Sequence, residues 1–329
     1  MQQASIISTG MYVPKNVIDN QFFNEVYGED VDTWLQEHVQ IYKRCWCNEQ
    51  ESTADLAFAA ASRALENGGI SASALDLIIV ATDTPEYISP STASVVQFKL
   101  GASNAGTFDL NAACAGFVTA MDLASKYIHS DHQYQYILVI GAYAMSKYLN
   151  LEDKKTATLF ADGAAAVLLK STSENDHGWL AAKLLTKGQY HDWMGIYGGG
   201  ARYPFNQEVL DNHRHQLQFV HKFPKTINPD VWSEIITDLT GKLNIKPNAV
   251  DHYLITQINI FSIWETMDRL NIDREKAHTI MHQYGYTGSA CIPMALDLGI
   301  KSGRIKRGDL IFLVGSGGGL AFAGVAFRY

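Results

Sequence analysis

Hydrophobic and polar positions along this chain switch repeatedly between a period near two and a period near 3.6. Residues 4–10 form a β-rich run that ends at Gly10. A polar stretch with helical spacing follows, from residue 20 to about residue 40. Ser52, Thr53 and Asp55 offer caps for an alanine-rich helix that runs to Asn67, where Gly68 and Gly69 stop it. Residues 75–82 are a short apolar run, the pattern of a parallel strand buried on both faces. The same logic predicts a helix over 91–100, a strand over 105–110, a helix over 116–129 and a strand over 136–142. The segment 158–169 opens with a turn at Asp162-Gly163 and ends in an apolar strand. From residue 228 the alternation resumes, with a helix over 229–243, a strand over 253–256 and helices over 260–270 and 289–298. A strand over 309–315 and a last strand ending at Arg328 close the chain. Strands and helices in alternation predict an α/β fold.

Residues 171–225 break this rhythm. They hold Trp193, the run Gly198-Gly199-Gly200 and a polar, histidine-rich stretch at 211–215, and they read as an insertion around a site. On either side the order of elements is alike. A short strand leads into a turn and a helix at Cys114 in the first half and at Gln257–Asn259 in the second. The expected organisation is two duplicated halves, 1–170 with Cys114 and 171–329 with a flap at about 190–225.

Composition narrows the functional classes. With 47% hydrophobic and 18% charged residues, the chain has an ordinary globular composition. No apolar run reaches the ~18 residues of a membrane span. The first residues, Met1-Gln2-Gln3-Ala4-Ser5, lack the basic start of a signal peptide, so the expected location is the cytoplasm. A net charge of −8 argues against general nucleic-acid binding, which needs basic surface. Cys45 and Cys47 stand one residue apart, which is not zinc spacing, and no other cluster completes a site, so no metal is expected.

The chemistry concentrates in the segment 108–117. A β-run ends in small residues, then Cys114, then Gly116 and an amphipathic helix. A thiol at a helix N-terminus lies near unpaired N–H groups and the positive end of the dipole, which favours thiolate. Small neighbours let backbone approach a substrate, and the Cys114 N–H can face an acyl oxygen. Near the C-terminus, the run 315–319 (Gly-Ser-Gly-Gly-Gly) can present further backbone donors. It is not a phosphate-binding P-loop, because the lysine and hydroxyl of that motif are missing.

Several segments in order carry a resemblance. They are residues 5–15, 41–44, 84–93, 111–117, 160–166 and 292–296, with the closing glycine loop. Together the chain resembles, over essentially its whole length, the ketoacyl-acyl-carrier-protein synthase III family of the thiolase superfamily. The resemblance implies the five-layered αβαβα thiolase fold, a homodimer, and an acyltransferase or condensing enzyme with no permanently bound cofactor. Its substrates would be acyl-coenzyme A or acyl-acyl-carrier-protein. Cys114 falls on the nucleophile, and Gly318 on the glycine whose N–H completes an oxyanion hole with that of Cys114. Trp34 falls on an indole that packs on adenine, and His38 stands where the family has an arginine on the other side. Ser89 falls on the floor of the acyl channel, often reached from the partner subunit. Its small size implies room for more than acetyl.

Two positions depart from the pattern. Thr256 stands where the family carries a catalytic histidine, and Tyr286 where it carries a catalytic asparagine. The family's pair donates hydrogen bonds to the enolate formed as malonyl loses carbon dioxide. Three functions are therefore open. The chain transfers an acyl group from Cys114 without that pair; or it decarboxylates with Tyr286, Thr256 or a mobile histidine (His213, His215, His221, His252, His282) in their place; or it is a non-catalytic, acyl-holding subunit of an active homologue. A redox sensor would need a resolving cysteine nearby, and none is close in sequence.

Overall fold

The computed structural model describes residues 2–173 and 177–329. Two sheets form its frame. The first is five-stranded, in the order Gln3–Tyr12, Asp162–Thr172, Tyr136–Ala144, Leu77–Ala81, Gly106–Leu110. Leu77–Ala81 pairs parallel with both its neighbours, and the pairs at the Gln3–Tyr12 side are antiparallel. The second sheet is four-stranded, in the order His252–Ile255, Leu310–Gly317, Ala321–Arg328, Gly178–Thr186, with only its first pair parallel.

Helices Gly116–Ser130 and Cys291–Lys301 lie between the sheets and touch strands of both. That sandwiched position explains their composition. Phe117, Val118, Met121 and Ile128 are fully buried, each contributing about 1.5–3 kcal/mol of apolar burial. Thr53–Gly68 and Thr92–Leu100 cover the outer face of the first sheet, and Ile227–Leu243 covers that of the second. The result is the five-layered arrangement of the thiolase fold.

The partly helical stretch from 20 to about 40 holds two helices, Asn20–Tyr27 and Asp32–His38, because Gly28 leaves the first in a left-handed conformation at φ +66°. Two sequence expectations need correction. Asp162-Gly163 is not a turn. It begins the strand Asp162–Thr172, and the Asp162 carboxylate accepts hydrogen bonds from the N–H groups of Cys47 (2.7 Å) and Ser146 (2.8 Å). Finally, Gly178–Thr186 is the edge strand of the second sheet, so the irregular excursion starts only after it. Its burial alternates poorly, as an edge strand's does, and the periodicity was correspondingly weak.

Candidate active site

Cys114 is positioned by a strained turn. Strand Gly106–Leu110 ends, and the Asn111 side-chain oxygen accepts the Ala113 N–H at 3.0 Å. Ala113 is then forced to φ +46°, a conformation costing about 1–2 kcal/mol for an L-residue. The chain turns sharply, places Cys114 at the joint, and enters Gly116–Ser130 through Ala115. The Leu310–Gly317 strand comes up against this joint. A Cβ at Gly317 would lie 2.5 Å from the Cys114 nitrogen and 2.9 Å from the Ala112 oxygen, so only glycine permits the approach.

Around the thiol is a narrow cavity of about 80 Å³. Thr256, Tyr286, Ser316 and Gly317 line it on the chemical side, and Met194, Phe219, Phe223 and Leu320 close it. The irregular segment after Gly178–Thr186 thus supplies Met194, Phe219 and Phe223 as a wall of the site. The cavity shares Phe219 and Phe223 with a wider groove of about 550 Å³, which runs out to Trp34 past Lys154 and Lys155. The groove thus leads from the surface to the wall of the Cys114 cavity.

The expected thiolate is not the resting state. Burial pushes the Cys114 thiol well above its ordinary value, and the charge of Asp83 adds to the rise. Hydrogen bonds from the Tyr286 and Tyr143 hydroxyls act in the opposite direction. Desolvation of a thiolate in a closed site outweighs what the helix end returns. Tyr143 was not visible as a site residue in the sequence. It ends the apolar strand Tyr136–Ala144 and reads there as ordinary core.

The remaining sequence candidates fall as follows. Tyr286 is almost fully buried, its ring 5.3 Å from that of Phe160, and its backbone exchanges bonds of 2.9 Å with Leu159 and Ala161. Thr256 Oγ1 accepts the Ser316 N–H at 2.8 Å, and its hydroxyl faces the Ser316 carbonyl at 3.4 Å. Gln257 pins the loop beyond it, donating to the His278 carbonyl (2.7 Å) and accepting the Ile280 N–H (2.7 Å). Asn259 caps the next helix by accepting the Phe261 N–H. Gly318 faces Met194 and the Ala113 methyl and is not among the residues that line the cavity. Trp34 is 52% exposed at the groove mouth, and His38 stacks on it at 5.1 Å and 8°. Ser89 is not in the Cys114 cavity of its own chain. It sits on an exposed loop beside Tyr87 and Ile88. No histidine lines the cavity. His252 is instead held between Asp309 and His278, at 3.0 Å from each.

Known proteins are similar to this chain in sequence and fold. Residues 108–188 match the family described as 3-oxoacyl-[acyl-carrier-protein (ACP)] synthase III, and residues 241–329 match its C-terminal part. Over 335 positions covering all of both chains, the protein is 39% identical to a beta-ketoacyl-[acyl-carrier-protein] synthase III of Clostridium perfringens. The chain belongs to the 3-oxoacyl-[acyl-carrier-protein] synthase III family. A synthase III of Clostridioides difficile is 33% identical over 99% of this chain and 98% of its own. The crystal structure of the Aquifex aeolicus synthase III superposes with a TM-score of 0.87 at 34% identity, covering 99% of this chain and 100% of that one. Like its relatives, this synthase III family member is an acyl-transferring condensing enzyme of the thiolase fold. Among the described residues, no helix is long and apolar enough to cross a membrane.

Proposed function

We propose that the protein takes an acyl group from coenzyme A or acyl carrier protein as a thioester on Cys114 and passes it to an acceptor without the family's usual enolate-stabilising pair. The observation that carries this reading is that Tyr286 lines the Cys114 cavity in the place of the family's asparagine, with its hydroxyl acting on the thiol as a hydrogen-bond partner. A donor so engaged serves the nucleophile rather than an enolate oxygen. Thr256, in the position of the family's histidine, spends its hydroxyl on the Ser316 backbone. Losing one donor of such a pair costs about 10²- to 10³-fold in rate. Acylation needs only the sulfur and an oxyanion hole, for which the N–H groups of Cys114 and Gly318 are the candidates. Removing histidine and asparagine leaves that step intact.

Trp34 would lie on the adenine of coenzyme A; His38 stacks directly on the indole at 5.1 Å, so the base would not sit between the two rings as the resemblance implies. Lys154, Lys155 and Lys222 along the groove offer charge to its phosphates or to an acidic carrier. A homodimer fits the exposure of Ile88 (75%), next to Ser89 in sequence, and of Phe98 (82%) on the following helix. Ser89 would then border the acyl channel of the partner rather than its own. Efficient chain initiation requires decarboxylation, so a specialised lipid or secondary-metabolite step suits this site better.

The test is intact-mass analysis after incubation with a panel of acyl-coenzyme A and acyl-carrier substrates, together with carbon dioxide release from malonyl carrier. An acyl adduct is expected on the protein, absent in Cys114→Ala, with carbon dioxide release at background. Rapid release of carbon dioxide would show that Tyr286 and Thr256 do replace the pair. No adduct with any donor would overturn acyl transfer through Cys114 and leave a non-catalytic subunit paired with an active homologue.

A further inference from the structure

A second cavity, of about 240 Å³, is built around a histidine that acyl transfer does not use. His278, His282, Gln283, Gly299, Ser302 and Arg304 are among the residues that line it, and it shares none with the Cys114 cavity or its groove. His278 is only 4% exposed, and a chain of hydrogen bonds sets its proton. Asp309 Oδ2 accepts the Lys306 N–H at 2.7 Å and lies 3.0 Å from His252 Nε2. His252 Nδ1 in turn lies 3.0 Å from His278 Nε2. The Asp309 carboxylate can only accept, so neutral His252 carries its proton on Nε2. Its Nδ1 is then an acceptor, and His278 donates to it through Nε2–H. The lone pair of neutral His278 is thereby fixed on Nδ1. Burial, with Arg304 and His252 nearby, lowers the pKa of His278 to about 3 and keeps the ring neutral. Nδ1 makes no hydrogen bond to a described residue, yet it is not sealed from solvent. The space before it stays open because residue 299 is glycine, where a Cβ would lie 3.0 Å from Nδ1. An acceptor held in this way on a buried ring calls for a partner.

The charges around the cavity select the partner. Arg304 is exposed, and its guanidinium donates to the Glu275 carbonyl but pairs with no carboxylate among the described residues. No described residue that lines the cavity is acidic. Lys43 acts on His282, and Asp297, whose charge reaches Tyr284, is already bonded to Thr9 and Lys301. A metal ion is a poor fit, because among the described residues no group of three or more ligating His, Cys, Asp or Glu side chains stands together. The cavity thus asks two things of an occupant: negative charge for Arg304 and a hydrogen-bond donor for His278 Nδ1. We propose that it is a binding site for hydrogen phosphate, an oxyanion that keeps a proton. The phosphate oxygens would accept from the Arg304 guanidinium while the remaining P–OH donates to Nδ1. Sulfate has the same shape and charge but only acceptors, and it would set an oxygen lone pair against that of Nδ1.

Isothermal titration calorimetry of the full chain at pH 7.5 tests the assignment, with inorganic phosphate, sulfate and methyl phosphate as the probes. Phosphate should bind saturably. Sulfate and methyl phosphate should bind at least about 10-fold more weakly, because a monoester with a second pKa near about 6 has also lost its proton at this pH. The comparison separates free phosphate from an organic phosphate, and it separates this cavity from the groove lysines, which have no means of preferring phosphate to sulfate. Arg304→Gln, a change on the exposed surface, should weaken phosphate by about 10-fold or more. His278→Gln should abolish the preference over sulfate, since its amide can turn a donor towards either anion. No saturable binding of phosphate overturns the proposal. So does equal affinity for sulfate in the native protein, or an unchanged phosphate affinity in a folded Arg304→Gln protein with native circular dichroism and melting.

Discussion

Replacing Tyr286 by phenylalanine isolates the contact on which the proposed function rests. The ring remains, with its packing against Phe160 at 5.3 Å, and so do the 2.9 Å backbone bonds to Leu159 and Ala161. Only the hydroxyl is lost, and with it one of the two hydroxyl donors to the Cys114 sulfur. A hydrogen bond to a charged group is worth about 1.5–3 kcal/mol. The bond matters little to the neutral thiol and fully to the thiolate that forms during attack. Its loss should raise the thiol further, because the thiolate loses more than the thiol does. Loading at neutral pH should fall by about 10- to 100-fold, with little change in the donor concentration for half-saturation. Quenched-flow intact mass with an acyl-coenzyme A donor measures both quantities. Loading within twofold of the native rate would refute the reasoning, because the hydroxyl would then be neither holding nor stabilising the sulfur. A large fall in melting temperature would instead mark it as a packing residue.

Gly317→Ala places a methyl 2.5 Å from the Cys114 nitrogen, so loading should drop by about 100-fold or more as the oxyanion donors shift; the same mass assay reads it. Trp34→Ala should remove about 1–3 kcal/mol of base stacking and raise KM for acyl-coenzyme A by about 5- to 100-fold. The same variant should leave loading from a short acyl-pantetheine unchanged, which separates adenine binding from chemistry. His278 is buried beside His252, and burial lowers its pKa to about 3. The unfolded chain binds this proton near pH 6.5, so folding stability should fall as pH drops from 6.5 towards 3, by up to about 1.4 kcal/mol per unit. Asp83, whose folded value is raised, contributes with the opposite sign over part of that window. Urea melts of the native protein and His278→Gln at pH 7 and pH 5 therefore isolate the histidine: the variant's slope should be shallower.

Local chemistry made much of this protein readable. Ser52 and Asp55 form the capping box of Thr53–Gly68, and the unbroken apolar run at Leu77–Ala81 is a strand between two parallel neighbours. The joint at Cys114 and the glycine loop could be found because each depends on a few adjacent residues whose size or backbone freedom decides the turn. What could not be read in sequence order depends on distant segments and on water. Gly178–Thr186 joins the second sheet because Ala321–Arg328 offers it an edge. Tyr143 looks like core until the fold brings its hydroxyl to the sulfur, and Asp83 looks like a loop aspartate until its oxygen is found shut in without a partner. Thr256 could have been a free donor, but the end of the strand Leu310–Gly317, at Ser316, claims its hydroxyl. The clearest case is the thiol itself. Its place at a helix start was determined by sequence and pointed to a thiolate. Only packing determined how much solvent the sulfur keeps, and with almost none left the desolvation of its charge governs its state.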